Sequence, residues 1–166
     1  VYGATGAIGS AAVQLLAADG VRVTAVCGTA HTALVASLGA DRVVDYQTED
    51  VTALAERVDL LFDCWGHLSY RATRRLVAKG GTYASTGPGA HGSNLVLPLL
   101  PVRPPVRFSF PRIDHTMVQG FADLMAAGTF RPVVDRTFPL ESIVDAYRYV
   151  ETGQKVGNVV IDVVGS

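Results

Sequence analysis

Two alternating patterns of hydrophobic and polar positions run along the first half of the chain. Runs of β-branched and apolar residues predict strands at 21–26, 42–45, 58–63 and 82–86. Apolar residues at helical spacing predict helices at 10–19, 29–38 and 70–78, and a polar, weaker helical pattern at 48–57. Strands separated by helices of this length favour right-handed βαβ units and a parallel sheet.

The second half of the chain is interrupted by prolines. Six of the eight prolines lie within 87–112, so this pattern disfavours helix and leaves only a short strand at 106–110. Beyond it the pattern predicts helices at 114–127 and 141–152, and extended segments at 131–138 and 158–164. Gly80-Gly81 is expected to end the helix at 70–78, as glycines often do.

Composition narrows the class of protein. With 166 residues, 49% hydrophobic and 17% charged, the chain is long and apolar enough for one folded domain. A net charge of −1 gives no general attraction to nucleic acid or membrane, so neither partner is expected. Two cysteines, Cys27 and Cys64, cannot form a disulfide framework, which predicts reduced thiols and a cytoplasmic protein. The four histidines lack zinc-ligand spacing, so no metal site is predicted.

A glycine-rich loop separates the first short strand, Val1-Tyr2, from the first helix. Gly3, Gly6 and Gly9 permit a tight turn, and the helix that follows begins with amides that lack partners within the helix. Together with the helix dipole, the amides of Gly6, Ala7, Ile8 and Gly9 are expected to favour an anion such as a dinucleotide diphosphate. The spacing differs from G-x-G-x-x-G, and a purely structural turn is the alternative.

The type of dinucleotide is indicated at the end of the second strand. A site for NAD places an acid about 20 residues beyond the loop, where it binds the ribose 2′-hydroxyl. Here Val26-Cys27-Gly28-Thr29 contains no acid, and Thr29, His31 and Thr32 can donate hydrogen bonds to a 2′-phosphate. No arginine stands there to complete a phosphate clamp. The sequence therefore predicts NADP in preference to NAD.

Motifs in family order extend this interpretation over nearly the whole chain. The chain resembles the cofactor-binding half of a medium-chain dehydrogenase/reductase, most of all the zinc-independent quinone oxidoreductase-like and NAD(P)-dependent alcohol dehydrogenase-like members. The motifs are the glycine loop, Leu38–Tyr46, Phe62–Gly66, Gly80–Thr82, Phe138–Glu141, Ala146–Arg148 and Val156–Val160. The resemblance implies a Rossmann-type doubly wound parallel sheet with a truncated first strand.

The resemblance also implies where the cofactor would bind. The diphosphate would lie on Thr5, Gly6, Ala7, Ile8 and Gly9. The adenosine part would lie beside Gly28, Thr29 and Tyr46. Related sequences often carry an arginine near His31, and this chain has none there. The second ribose and nicotinamide would be bordered by Cys64, Trp65, Gly66, Thr86, Gly87, Phe108, Ser109 and Asn158.

An oxidoreductase is the function that the resemblance implies, with hydride passing between a nicotinamide cofactor and a carbonyl, quinone or enone. Residues 1–166 would form one dinucleotide-binding domain with a core at 1–128, and 129–166 would pack on a separate N-terminal catalytic domain that binds the substrate. We therefore expect no catalytic residue, no zinc and no turnover in this chain alone, and a homodimer through the sheet edge at 106–110. Two alternatives are a non-catalytic dinucleotide sensor and an extended short-chain reductase, whose Tyr-x-x-x-Lys pair is absent from this sequence.

Overall fold

The chain forms an α/β fold in which parallel strands alternate with helices. The computed structural model describes residues 1–89, 92–108 and 114–163. The strands are β1 (Thr24–Cys27), β2 (Arg42–Asp45), β3 (Val58–Asp63), β4 (Val77–Ser85), β5 (Val106–Phe108), β6 (Val134–Pro139) and β7 (Asn158–Asp162). The helices are α1 (Ala7–Ala18), α2 (Thr32–Ser37), α3 (Tyr70–Thr73), α4 (Ser93–Val96), α5 (His115–Ala126) and α6 (Ile143–Glu151). None of the helices in these ranges is long and apolar enough to cross a membrane.

Tyr2 connects the two halves of the main sheet. It forms parallel bridges to Val26 of β1 and to Asp63 of β3. Its amide donates to the Phe62 carbonyl at 2.8 Å, and its carbonyl accepts from the Cys64 amide at 3.0 Å. The parallel order across the sheet is therefore β2, β1, Tyr2, β3, β4, β5. This order is that of a doubly wound sheet, and it confirms the predicted fold class and the short first strand.

Two buried clusters stabilise the sheet. One joins α1 and α2 to β1 and contains Ala4, Val13, Val23, Ala25, Cys27 and Val35. The other surrounds β3, β4 and β5 and contains Leu61, Tyr70, Leu76, Val77, Tyr83 and Val106. Because α1, α2 and α3 contribute buried side chains to these clusters, the clusters fix the strand ends relative to one another.

A cavity of about 250 Å³ lies between β1 and β3, beside Val1 and Tyr2. Apolar side chains such as Val23, Leu60 and Leu68 line it. The glycine loop, Gly28 and Tyr46 do not line it, and doubly wound sheets bind ligands at the carboxyl ends of the strands, which these residues follow. We therefore place the candidate site at that edge of the sheet and not in the cavity.

The helix predicted at 70–78 is much shorter than expected. α3 ends at Thr73, a 3-10 turn covers Arg74–Leu76, and β4 then runs through Gly80-Gly81. The two glycines form an irregularity in the pairing, at which the β3–β4 register shifts between Val58 and Leu60. A Cβ on Gly81 would lie 2.6 Å from the Asp59 carbonyl oxygen, so the close approach of β3 requires glycine there.

Two further predictions were wrong in part. The predicted helix at 48–57 is only a 3-10 turn at Val51–Ala53. Within the proline-rich segment, α4 and a 3-10 turn (Leu97–Leu99) form although helix was disfavoured, because both are short and Pro98 stands in the first turn. The extended segments near the C-terminus pair with each other, β6 with β7 in parallel. The division of the chain at residue 128 stays a prediction.

The packing of Gly9 gives a stability prediction. A Cβ at Gly9 would lie 2.1 Å from the Gly3 carbonyl oxygen, whereas a Cβ at Gly120 in α5 meets nothing within 4 Å. We expect Gly9→Ala to lower the free energy of unfolding by about 1–3 kcal/mol. Gly120→Ala, the matched control in a helix, should raise it by about 0.5–1 kcal/mol. Urea denaturation measures both changes, and equal midpoints for the two variants would contradict the close packing of Gly9.

Candidate cofactor site at the carboxyl ends of the strands

The carboxyl ends of the parallel strands bring most of the predicted site residues to one edge of the sheet. The glycine loop follows Tyr2, Gly28 and Thr29 follow β1, and Tyr46 follows β2. Cys64-Trp65-Gly66 follow β3, and Thr86-Gly87 follow β4. The edge thus offers a continuous surface from β2 to β4 with the start of α1 in its middle.

The fold requires two of the three glycines of the loop, Gly3 and Gly9, for different reasons. Gly3 has a φ of +75°, which a side chain would strain, and Gly9 packs against the loop backbone. Gly6 has an ordinary φ of −70°. A Cβ on Gly6 would meet only the Gly3 carbonyl oxygen at 3.5 Å, which is ordinary contact. No described neighbour therefore requires glycine at position 6, and the space beside it can admit a ligand atom.

Fewer amides at the start of α1 lack a hydrogen-bond partner than the sequence predicted. The Gly6 amide donates to the Gly3 carbonyl at 3.1 Å, so the expectation of four unpaired amides was wrong at this residue. Gly157 forms a parallel bridge with Gly6, which turns the Gly157 carbonyl towards the amide of Ala7. No side chain within the described ranges caps the helix, which leaves the amides of Ile8 and Gly9 as candidate donors to an anion.

Lys155 brings a positive charge to the glycine loop, which sequence reasoning missed. Its ammonium donates to the Gly157 carbonyl at 2.7 Å, and the Gly157 amide donates to the Thr5 carbonyl at 2.6 Å. Asp135 stabilises the segment that carries Lys155 and Gly157. Its carboxylate accepts from the Tyr149 hydroxyl at 2.6 Å and from the Val156 amide at 3.0 Å. These hydrogen bonds hold the pKa of Asp135 below its usual value.

An acidic residue also lies on the β1–β2 side of the edge. The Thr29 hydroxyl donates to Asp45 at 2.5 Å, and the Gln47 amide donates to the same carboxylate at 2.9 Å. The Thr29 bond, and then the Gln47 bond, lower the pKa of Asp45. The Thr29 amide donates to the Gln47 side chain at 3.0 Å. Thr29, Asp45, Tyr46 and Gln47 thus form one polar cluster around Gly28, and we call it the Asp45 cluster.

Tyr46 and His31 both contact Gly28, Tyr46 through its side chain and His31 through its backbone. A Cβ on Gly28 would lie 3.1 Å from the Tyr46 hydroxyl, so the predicted pair of Gly28 and Tyr46 is indeed brought together. Tyr46 is 54% exposed, which leaves its ring open to a ligand. His31 ends the 3-10 turn Thr29–His31, where its amide donates to the Gly28 carbonyl at 3.0 Å.

The turns after β3 and β4 touch through two glycines. A Cβ on Gly66 would lie 2.5 Å from the Gly87 Cα atom, and Gly66 has a φ of +78°. The Thr86 hydroxyl donates to the Asp63 and Cys64 carbonyls at 3.4 and 3.3 Å. The five residues predicted to border the nicotinamide from these turns therefore form one unit, and we call it the paired turns (64–68 and 86–89).

Trp65 and Cys64 differ in exposure and in the chemistry that is open to their side chains. Trp65 is 58% exposed and its ring contacts those of His67 and Tyr2, with centroids 5.0 and 6.0 Å apart. Burial raises the pKa of Cys64 to about 12, so its thiol is protonated at neutral pH and is a poor nucleophile. Burial likewise raises the pKa of Cys27. Neither thiol is therefore suited to covalent chemistry.

The last three predicted site residues are Phe108, Ser109 and Asn158. Phe108 ends β5 and lies opposite Ser85 in the strand register. Ser109 lies outside the described residues. The side-chain amide of Asn158 donates to the Val133 carbonyl at 3.0 Å, so this donor holds β6 to β7 in the protein itself. A role for these residues in cofactor binding stays a prediction.

Comparison with known proteins identifies the family. A family model described as zinc-binding dehydrogenase matches residues 38–161, most of the chain. The chain belongs to this zinc-binding dehydrogenase family. The match confirms the resemblance to the medium-chain dehydrogenases/reductases, and the chain carries the Rossmann-type domain of such proteins.

Named relatives of this dehydrogenase family are oxidoreductases. The mouse mitochondrial NAD(P)H oxidoreductase RTN4IP1 is 29% identical over 99% of this chain and 47% of its own length. The chloroplastic NADPH-dependent alkenal/one oxidoreductase of Arabidopsis thaliana is 28% identical over 97% of this chain and 39% of its own. The quinone oxidoreductase structure from Coxiella burnetii has the same fold, with a TM-score of 0.87 at 21% identity, and the match covers 98% of this chain and 51% of that one. The chain spans about half or less of the length of these relatives.

The name of the dehydrogenase family includes zinc, and the described residues do not fit that metal. No three His, Cys, Asp or Glu side chains within ranges 1–89, 92–108 and 114–163 come together as ligands. Cys27 is buried in the core, and Cys64 is the first residue of the paired turns and is partly buried. We therefore derive no step through zinc from this chain.

Thr29 controls the charge of the Asp45 cluster, which gives a second prediction. Because the Thr29 hydroxyl stabilises the ionised carboxylate, Thr29→Val should raise the pKa of Asp45 towards its ordinary value. The Gln47 amide remains, so the rise should be partial. Thr32→Val is the matched control, since the Thr32 hydroxyl donates to a backbone carbonyl instead. Carboxyl NMR titration measures both, and an unchanged pKa in Thr29→Val would show that the bond does not form in solution.

Proposed function

We propose that this chain is the nicotinamide dinucleotide-binding domain of an oxidoreductase that transfers hydride between NAD(P)(H) and a carbonyl, quinone or enone. The observation that supports this most directly is the open space beside Gly6 at the uncapped start of α1. A diphosphate there would accept hydrogen bonds from the Ile8 and Gly9 amides, and the ammonium of Lys155 would lie on the same side. When bound, the cofactor supplies the hydride chemistry, and the chain supplies binding and orientation.

The substrate class is proposed from the names of relatives. One relative is named an alkenal/one oxidoreductase, and a protein with the same fold is a quinone oxidoreductase. The matches cover only 39% and 51% of these two proteins, so we propose that substrate is bound with another domain and that this chain alone binds cofactor without turnover. A cytoplasmic location, the sheet-edge homodimer and the other cofactor contacts stay predictions.

NADP(H) is the form of cofactor that we propose. A relative is named NADPH-dependent, and Cys27-Gly28-Thr29, at the end of β1, contain no acid. The Asp45 carboxylate is the feature that opposes a 2′-phosphate, and two donors already engage it. The charge of Asp45 therefore limits how strongly the chain would prefer NADP(H) to NAD(H).

The binding test uses Trp65, the single tryptophan of the chain. We expect titration with NADPH to quench Trp65 emission in a saturable way, with energy transfer to the dihydronicotinamide, because the ring borders the proposed nicotinamide position. Gly6→Asp should weaken binding at least about tenfold, since a carboxylate would then face the diphosphate.

The matched control for that test is Gly120→Asp, which adds the same charge at an open position in α5. It should leave the NADPH affinity unchanged, and circular dichroism should show both variants folded. Absence of saturable binding by fluorescence and by calorimetry, for NADPH and for NADH, would refute the proposed function.

Asp45→Asn tests the cofactor preference. Removing this charge should raise the ratio of NADPH affinity to NADH affinity by about three- to tenfold, because only NADPH carries the 2′-phosphate. Asp50→Asn is the control, since Asp50 is another exposed carboxylate that accepts from a threonine, Thr52. Calorimetric titration with both cofactors gives the ratio, and an equal change in both variants would exclude a specific role for Asp45.

A further inference from the structure

A buried carboxylate lies behind the paired turns. Asp63 is fully buried at the end of β3, and none of the cofactor roles described above involves it. Its Oδ1 accepts from the Gly66 amide at 2.8 Å, and its Oδ2 accepts from the Leu68 amide at 3.1 Å. One side chain thus fixes both the tip and the far end of the turn that contains Trp65.

The same carboxylate reaches the turn after β4. The Ser85 hydroxyl donates to Asp63 Oδ2 at 3.3 Å, and it also lies 3.2 Å from the Gly87 carbonyl and 3.3 Å from the Gly87 amide. The buried Asn94 amide donates to the Ser85 hydroxyl at 3.0 Å and to the Gly87 carbonyl at 3.2 Å. The Tyr83 hydroxyl completes the set with a bond to Asp63 at 3.1 Å.

Burying a carboxylate without a cation is unfavourable unless hydrogen bonds compensate for the lost water. Four donors compensate Asp63 here. Two of them are the backbone amides of Gly66 and Leu68, and a neutral side chain of equal size could not accept from both together. The Asn94 Oδ1 atom has no hydrogen-bond partner in the described part of the chain, so the Asn94 amide is oriented by its donor side alone. The network is therefore built around the acceptors of Asp63.

We infer that Asp63 is a positioning residue for the nicotinamide half of the bound cofactor. The inference rests on the proposed function. Asp63 acts through the paired turns, which place Trp65, Gly66 and Gly87 at the carboxyl edge of β3 and β4. The adenosine half would instead lie on the Asp45 cluster, which shares no hydrogen bond with Asp63 among those described. Loss of Asp63 should therefore affect the two halves of the cofactor unequally.

Asp63→Asn tests this by comparing two ligands. NADPH contains the nicotinamide, and 2′-phospho-ADP-ribose lacks it. We expect Asp63→Asn to weaken NADPH about tenfold while it changes the affinity for 2′-phospho-ADP-ribose less than about twofold. Energy transfer from Trp65 to bound NADPH should also fall, since the turn that holds Trp65 would shift. Asp59→Asn, an exposed position on the same strand, is the control and should change neither affinity.

Ser85→Ala is a second variant in case Asp63→Asn does not fold. It removes the hydroxyl that joins Asp63 to Gly87, and it should change the ratio in the same direction by a smaller factor. Equal weakening of both ligands, or of neither, would overturn the inference, because a general loss of stability does not distinguish them. If the unmodified chain binds neither ligand, the proposed function itself fails.

Discussion

The pairing of Tyr2 with strands on both sides determines the rest of the structure. β1 and β2 lie on one side of this residue, and β3, β4 and β5 lie on the other. The chain therefore reverses its direction of progress across the sheet at Tyr2, and a crevice opens at the carboxyl end of that position. Gly3 follows at once, so the glycine loop and the start of α1 are placed in the crevice by topology alone.

Sequence patterns predicted the strands well where local preference and tertiary pairing agree. β2 and β3 have the predicted bounds because their apolar and β-branched residues suit a partly buried parallel strand. The helix predicted at 70–78 was wrong because pairing decided the conformation there. Val77 pairs with Val58, and the irregularity at Gly80-Gly81 absorbs the mismatch. A pattern of side chains cannot reveal a register shift, since it depends on the partner strand.

The site was predictable to the extent that it follows from strand order. Gly28 and Tyr46 meet because β1 and β2 are neighbours, a consequence of the βαβ pattern. Asp45 was missed because the acid was sought after β1, although the signal, an acid at the end of β2, is visible in the sequence. Lys155 could not be placed, since its position depends on the bridge between Gly6 and Gly157, which are far apart in the chain. Sequence identified the residue types, and tertiary contacts determined which of them meet.

The touching backbones of Gly66 and Gly87 have a consequence for how this surface can change during evolution. Neither position has room for a Cβ atom, so the contact between the two turns requires glycine on both sides. Trp65 is 58% exposed, so its side chain can be exchanged without disturbing this contact. The chemistry of this surface can therefore vary at Trp65 while the two backbones keep their separation.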